Sequence, residues 1–165
     1  MDTGAARQRM VDQQIRTWEV HEDPLLHLLS ELPRHRFVPD GFQQLAYADT
    51  EIPLGHGERM MTPSVEGRLL QALRLTARDN VLEVGTGSGY LSACIASLCA
   101  ELVSIDLYDD FLSGAAATLA ELGIGNVTLR QHDAVRDGLP EGLFDAIAIT
   151  GSLPELDERM IASLK

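Results

Sequence analysis

Glu83, Gly85, Gly87 and Gly89 stand at alternate positions in the run NVLEVGTGSGYLSACIA, between a short apolar strand and a helix-like segment. Glycines in such a turn let the backbone approach a ligand closely, because no Cβ stands in the way. A strand, a glycine turn and a helix N-terminus form a ligand site at the carboxyl ends of parallel strands. A nicotinamide dinucleotide asks for G-x-G-x-x-G. Here the spacing is G-x-G-x-G, with Tyr90 where the last small residue would fall, and the Lys-Ser/Thr pair of a triphosphate loop is absent. Glu83 is awkward beside a pyrophosphate and welcome beside a ligand that carries an amino group and a sulfonium. Asp106 ends the next apolar run, LVSID, where a carboxylate can accept from two ribose hydroxyls. Asp133 ends the third, NVTLRQHD, at a position suited to an adenine amino group. Taken singly, Asp106 or Asp133 also fits a solvent-facing strand end. Taken with the E-x-G-x-G-x-G turn, and with Thr86 and Ser88 inside it, they describe S-adenosyl-L-methionine as the cofactor. Thr150, Gly151 and Ser152 end a fourth apolar run, beside where the methyl group of that cofactor would lie, and Thr150 joins the candidate set.

The elements that must position these residues follow from periodicity. From Ser64 onward, helical and strand patterns alternate: SVEGRLLQALRL, NVLEV, SGYLSACIASLCA, LVSID, DDFLSGAAATLAELG, NVTLRQHD, FDAIAITG and LPELDERMIASL. Such alternation predicts βαβ units and a parallel sheet. The first helix of the series is expected to turn Val65, Leu69, Leu70 and Leu73 inward, and Gly123 is placed to end the helix after Asp109. Upstream, the pattern differs. TGAARQRMVDQQIRTWEV reads as a polar helix with Met10, Val11, Ile15 and Trp18 on one side, and EDPLLHLLSEL as a second helix with Pro24 in its first turn. The segment from Pro33 to Pro63 is rich in Pro and Gly and reads as an irregular cover. The expected fold is therefore a Rossmann-like doubly wound α/β domain with a mostly parallel sheet and an N-terminal helical cover. Residues 1–63 form the cover and 64–165 the cofactor-binding core, in one compact domain. Four strands are few for such a sheet, and Lys165 directly follows a helix pattern. Further strands are expected beyond it.

Composition narrows the function. A net charge of −12 over 165 residues opposes a sequence-independent grip on phosphate backbones, so no nucleic-acid partner is expected. No apolar run is long enough for a bilayer, and the N-terminal run has no secretory apolar stretch, so the expected location is the cytoplasm with no membrane partner. Cys94 and Cys99 read as reduced core thiols. The five histidines His21, His27, His35, His56 and His132 have no ligand spacing, and no metal is expected.

VLEVGTGSGYLSA resembles the cofactor motif of the protein-L-isoaspartate O-methyltransferases, a class I methyltransferase family. RHRFVP and AYADTEIPLGHGERMMTP are similar to that family's N-terminal cover and substrate loop, and NVTLRQHDA and FDAIAITGSLPEL match it in order and spacing. The resemblance runs over most of the chain. It implies methyl transfer from S-adenosyl-L-methionine to the free carboxylate of isoaspartyl residues in damaged proteins, a repair reaction. The substrates would be isoaspartyl-containing proteins or peptides.

The loop departs from the family's G-Q-T-I-S-x-P: it reads Gly57-Glu58-Arg59-Met60-Met61-Thr62-Pro63, with Met61 in place of the serine. A carboxylate acceptor is already ionised at neutral pH and needs no general base. It needs orientation near the methyl carbon and exclusion of water. With the serine absent, the candidates for that work are His56, Arg59, Thr62 and Ser64. Arg59 is the strongest carboxylate binder among them. Met60 and Met61 can plug an apolar floor. The catalytic set is thus Arg59, Met61, Thr62 and His56. Two alternatives stay open: a related methyltransferase with a different acceptor, and a cofactor-binding module without turnover.

Overall fold

The polar N-terminal run coils into helix α1 (Thr3–Met10), then widens into one π turn, Val11–Ile15, and tightens into one 3-10 turn, Arg16–Trp18. Glu19 ends it with a left-handed φ of 61°. The structure, a computed structural model, describes residues 3–151 and 158–165. Met10, Val11 and Ile15 are buried as expected, but Trp18 is 49% exposed. A wide turn followed by a tight one breaks the uniform helical phase on which that expectation relied.

Helix α2 (Asp23–Glu31) carries Pro24 in its first turn and buries Leu25, Leu26 and Leu29. Two 3-10 turns, Arg34–Phe37 and Gln43–Leu45, lead to an antiparallel hairpin, β1 (Ile52–Gly55) and β2 (Glu58–Met60), inside the segment expected to be irregular. Helix α3 (Pro63–Leu73) follows, with the Thr62 side chain accepting from the Val65 N–H as its N-cap. Its buried face is Pro63, Ser64, Glu66, Gly67 and Leu70, whereas Val65 is exposed. The rotation differs from the apolar pattern because two contacts outweigh it. Glu66 meets the buried Arg34, and Gly67 lies so close to Ile15 that a Cβ there would stand 3.0 Å from its Cγ2.

Arg34 is wholly buried and donates in four directions: to Glu66 Oε2 at 3.0 Å and Oε1 at 3.3 Å, to the Ala46 carbonyl at 2.7 Å and to the Met61 carbonyl at 2.7 Å. A buried guanidinium is tolerable only with such complete pairing. Burial pushes the Glu66 carboxyl up to about 7, against the pull of Arg34.

After Arg74 a second compact unit begins, Leu75–Lys165. Helix α3 therefore groups with the N-terminal unit, Met1–Arg74, through its contacts with α2 and the π turn, and not with the core from residue 64 onward. The second unit runs β3 (Asn80–Val84), α4 (Tyr90–Ala96), β4 (Glu101–Asp106), α5 (Asp109–Glu121), β5 (Val127–Gln131), β6 (Ala146–Ile149) and α6 (Glu158–Ala162). Ser152 and the first residues of the last expected helix lie outside the described residues. The strands form a parallel sheet in the order β5-β4-β3-β6, a Rossmann-like α/β arrangement. Residues 81–84 of β3 are all buried, without alternation, as a central parallel strand requires. All seven residues of α4 are buried, including Cys94. Helix α5 ends as expected: Gly123 takes φ 71°, its N–H bonds the Ala120 carbonyl, and the Ile124 N–H bonds the Leu119 carbonyl. Leu164 bridges in parallel to Phe144, just ahead of β6.

From β3 the chain steps outward through β4 and β5, then returns to β6 on the other side of β3. The strand order reverses at the carboxyl end of β3, where open α/β sheets bind ligands. Among the described residues no helix is long and apolar enough to cross a membrane.

Candidate functional site

The glycine turn leaves β3 at this reversal. Gly85, Gly87 and Gly89 take φ of 105°, 51° and 82°, all in the region that side chains disfavour. Gly85 N–H bonds the Ile105 carbonyl at 2.8 Å, and Gly89 N–H bonds the Thr86 carbonyl at 2.9 Å. A Cβ on Gly85 would fall 2.7 Å from Thr150 Oγ1 and 2.8 Å from the Gly151 nitrogen, so the turn packs directly on the end of β6. Gly89 is the N-cap of α4, and Ser88 Oγ accepts from the Tyr90 N–H at 3.3 Å.

Glu83 lies beneath the turn and is fully buried. Its Oε2 accepts from the hydroxyls of Ser92 on α4 and of Ser104 on β4, the latter at 2.6 Å. Since the Ser104 proton goes to Glu83, Thr86 Oγ1 donates to Ser104 Oγ at 2.6 Å and ties the turn to this chain. Among the described residues Glu83 Oε1 has no hydrogen-bond partner. Burial pushes the Glu83 carboxyl up to about 7; the Ser104 and Ser92 hydroxyls oppose this, and the nearby Asp106 charge adds to it.

Asp106 ends β4 with both oxygens directed by the backbone. Oδ2 accepts from Gly87 N–H at 2.9 Å, and Oδ1 from Tyr108 N–H at 3.1 Å. Each oxygen keeps a second lone pair. Asp133, past the end of β5, accepts through Oδ1 from the N–H groups of Val135 and Arg136, which folds its own loop. Thr150 donates its hydroxyl to the Gly85 carbonyl at 2.7 Å and the Val84 carbonyl at 3.1 Å. Its proton is thus spent on the turn's backbone, a clamping role the sequence did not suggest. The structure brings Glu83, the turn, Asp106 and Thr150 together by direct or one-step hydrogen bonds, and leaves Asp133 at the next strand end.

The loop of the N-terminal unit is the β1–β2 hairpin. Gly55, His56 and Gly57 turn with φ of 116°, 52° and 82°, and His56 is exposed. Arg59 is exposed too, 3.9 Å from Glu51 Oε2. Met60 is buried, and Met61 is half-buried with its carbonyl held by Arg34. Thr62 Oγ1 lies 3.0 Å from Ser64 Oγ, which donates to Asp49 Oδ1 at 2.7 Å. The order of donors then runs from Thr62 through Ser64 to Asp49, so the Thr62 proton is engaged inside the unit.

Ser92, Ser104, Asp49 and the Arg34–Glu66 pair escaped the sequence reading as functional or positioning groups. A signal existed for the two serines: each is a hydroxyl in the middle of an apolar run, in SGYLSACIASLCA and LVSID, and a polar group buried there needs a partner. Among the described residues no group of three or more His, Cys, Asp or Glu side chains is placed to hold a metal ion.

Comparison with known proteins follows the same lines. The sequence profile of the protein-L-isoaspartate(D-aspartate) O-methyltransferase family matches residues 5–165. Protein-L-isoaspartate O-methyltransferase 1 of Rhodopseudomonas palustris (strain HaA2) is 38% identical over 160 residues, covering 97% of this chain and 65% of the relative. The protein-L-isoaspartate O-methyltransferase of Opitutus terrae is also 38% identical, over 96% of this chain and 68% of its own length. A solved protein-L-isoaspartate O-methyltransferase superposes with a TM-score of 0.81 at 24% identity, over 96% of this chain and 52% of that one. A Plasmodium falciparum protein assigned to the same class, crystallised with S-adenosyl-L-homocysteine, superposes with a TM-score of 0.78 at 21% identity, over 96% of this chain and 79% of that one. The chain thus spans about two thirds of these bacterial relatives and about half of the first of these solved structures. By its glycine turn, its strand order and the profile match over nearly its whole length, the chain belongs to the protein-L-isoaspartate(D-aspartate) O-methyltransferase family.

Proposed function

We propose that this protein is an S-adenosyl-L-methionine-dependent carboxyl methyltransferase acting on isoaspartyl residues of proteins and peptides in the cytoplasm. One observation carries the cofactor assignment: Asp106, fixed by the Gly87 and Tyr108 N–H groups, lies at the turn above the buried Glu83, and among the described residues no cation is hydrogen-bonded to either acid. A pyrophosphate would meet the Asp106 carboxylate at the turn unfavourably. A ligand with ammonium and sulfonium charges suits it, and Glu83 Oε1 is a buried acceptor still without a donor. Asp106 would accept from the ribose hydroxyls, Gly85, Gly87 and Gly89 would admit the ligand close to the backbone, and Asp133 would face the base. Ser88 and Thr86 shape the turn, and Thr150 clamps it to β6. When bound, the cofactor supplies an electrophilic methyl group.

The acceptor side rests on the family and on the loop. An isoaspartyl carboxylate arrives ionised, so the chain's task is to orient it and keep water out. Arg59, exposed on the hairpin, is the group best suited to grip it in two-pronged fashion. Met61 donates nothing, and the Thr62 proton is engaged with Ser64. That last pair of observations favours a second reading, in which the same cofactor site serves a different carboxylate acceptor. Transfer of a labelled methyl group from S-adenosyl-L-methionine to an isoaspartyl peptide, run beside its aspartyl twin, tests both. Label in the isoaspartyl peptide alone supports the first reading. Cofactor binding with label in neither peptide refutes it.

A further inference from the structure

We infer that Glu83 holds a proton in the ligand-free protein and releases it to solvent when a cationic ligand occupies the glycine turn, so that cofactor binding is coupled to proton release. The inference rests on the cofactor reading given above and deepens it.

Charge balance sets the protonation state of Glu83. It is fully buried near the carboxyl end of β3, and among the described residues the elements that hydrogen-bond it or pair with its strand carry no cation. From β4 come Ser104 and, as the charged group, the anion Asp106. From α4 comes Ser92, in a helix with no charged residue; β6 brings only Ala146–Ile149, and the turn brings Thr86. Both hydroxyl donors converge on Oε2, which leaves Oε1 bare. A buried carboxylate with no counter-charge and one unsolvated oxygen takes up a proton instead of staying ionised. The same physical setting raises its affinity for the proton up to about 7. A sulfonium ligand with an ammonium group brings the missing positive charge into the turn that Thr86 and Ser104 connect to Glu83. That charge favours the carboxylate, and the proton leaves.

Calorimetry on the full chain decides the matter. S-adenosyl-L-methionine and S-adenosyl-L-homocysteine, which lacks the sulfonium charge, are titrated at pH 6.5 in two buffers of different ionisation enthalpy. The expected result is release of a large fraction of one proton with the sulfonium ligand and less with the other. Affinity for the sulfonium ligand should rise by up to about tenfold per pH unit below about 7 and flatten above it. Glu83→Gln should abolish both the release and the slope, whatever its own affinity. Sulfonium binding without proton release, equal release with the two ligands, or unchanged release in Glu83→Gln would each overturn the inference while leaving the cofactor reading intact. Failure of both ligands to bind would overturn the cofactor reading, and the coupling with it.

Two measurements on the ligand-free protein need no binding. A carbon-13 titration of the Glu83 carboxyl in the unmodified chain should centre near 7, and a midpoint in the ordinary carboxylate range overturns the inference even if Glu83→Gln does not fold. The sign for stability is also determined. The folded-state affinity for the proton is raised, so its stabilising contribution is complete below the unfolded value and lost as pH climbs through about 7. The unfolding temperature of the unmodified chain, relative to Glu83→Gln, should fall between about pH 4.5 and pH 7. A flat difference counts against the inference.

Discussion

Asp106→Asn keeps the size of the side chain and changes only its acceptor capacity. In the native turn the two carboxylate oxygens receive different backbone donors, Gly87 N–H at 2.9 Å and Tyr108 N–H at 3.1 Å. An amide has one oxygen. Whichever way it flips, one N–H meets an NH2 group, donor against donor, and the surviving bond is no longer charge-assisted. Losing one bond to a charged acceptor costs about 1.5–3 kcal/mol. For a chain of this length about 2 kcal/mol lowers the unfolding temperature by roughly 4–8 °C. Binding suffers separately, because the lone pairs left for ribose hydroxyls are also halved. Loss of one such charge-assisted bond weakens the cofactor by about 10- to 100-fold, at about 1.4 kcal/mol per decade. A thermal melt and a calorimetric titration with S-adenosyl-L-homocysteine read the two effects independently. An Asn variant that melts lower but binds within about twofold of the native chain would refute the ribose role and leave Asp106 as a brace for the turn. Unchanged melting would refute the geometry itself.

Gly85→Ala forces a Cβ within 2.7 Å of Thr150 Oγ1 and 2.8 Å of the Gly151 nitrogen at φ 105°, and should cost about 3 kcal/mol or more in urea unfolding. Gly114→Ala, in the exposed middle of α5 with nothing within 4 Å, should instead stabilise by up to about 1 kcal/mol. Arg34→Met strands Glu66 and the Ala46 and Met61 carbonyls, and should cost about 3–5 kcal/mol; adding Glu66→Met should recover part of that in the same unfolding assay. In methyl transfer to an isoaspartyl peptide, a gain from Met61→Ser with little effect of Arg59→Ala marks a loop weakened by loss of its serine. Abolition of transfer to another carboxylate by Arg59→Ala, with no gain from Met61→Ser, marks a site rebuilt for that acceptor. Full isoaspartyl activity unaffected by either change would show that the missing serine is immaterial.

Features that depend on neighbours along the chain were legible in the residues alone. The alternation of strand and helix patterns from Ser64 onward, the positive-φ glycine turn and the Gly123 helix stop are local, because φ preference and burial period are written over a few residues. The resemblance of VLEVGTGSGYLSA and the PLGHG loop extended that reading to the family. The rest was set by pairings between residues distant in sequence. Trp18 faces outward because a π turn shifts the helix phase. Val65 lost its place on the buried face of α3 to Glu66, whose partner Arg34 lies 32 residues away. Glu83 looked like a carboxylate at the ligand; folding set it beneath the turn under Ser92 and Ser104, 9 and 21 residues distant. Thr150 reached the turn from 65 residues downstream and spent its hydroxyl there. A polar side chain's role is settled by which donor or charge it finds once buried, and no periodicity along the chain encodes that partner.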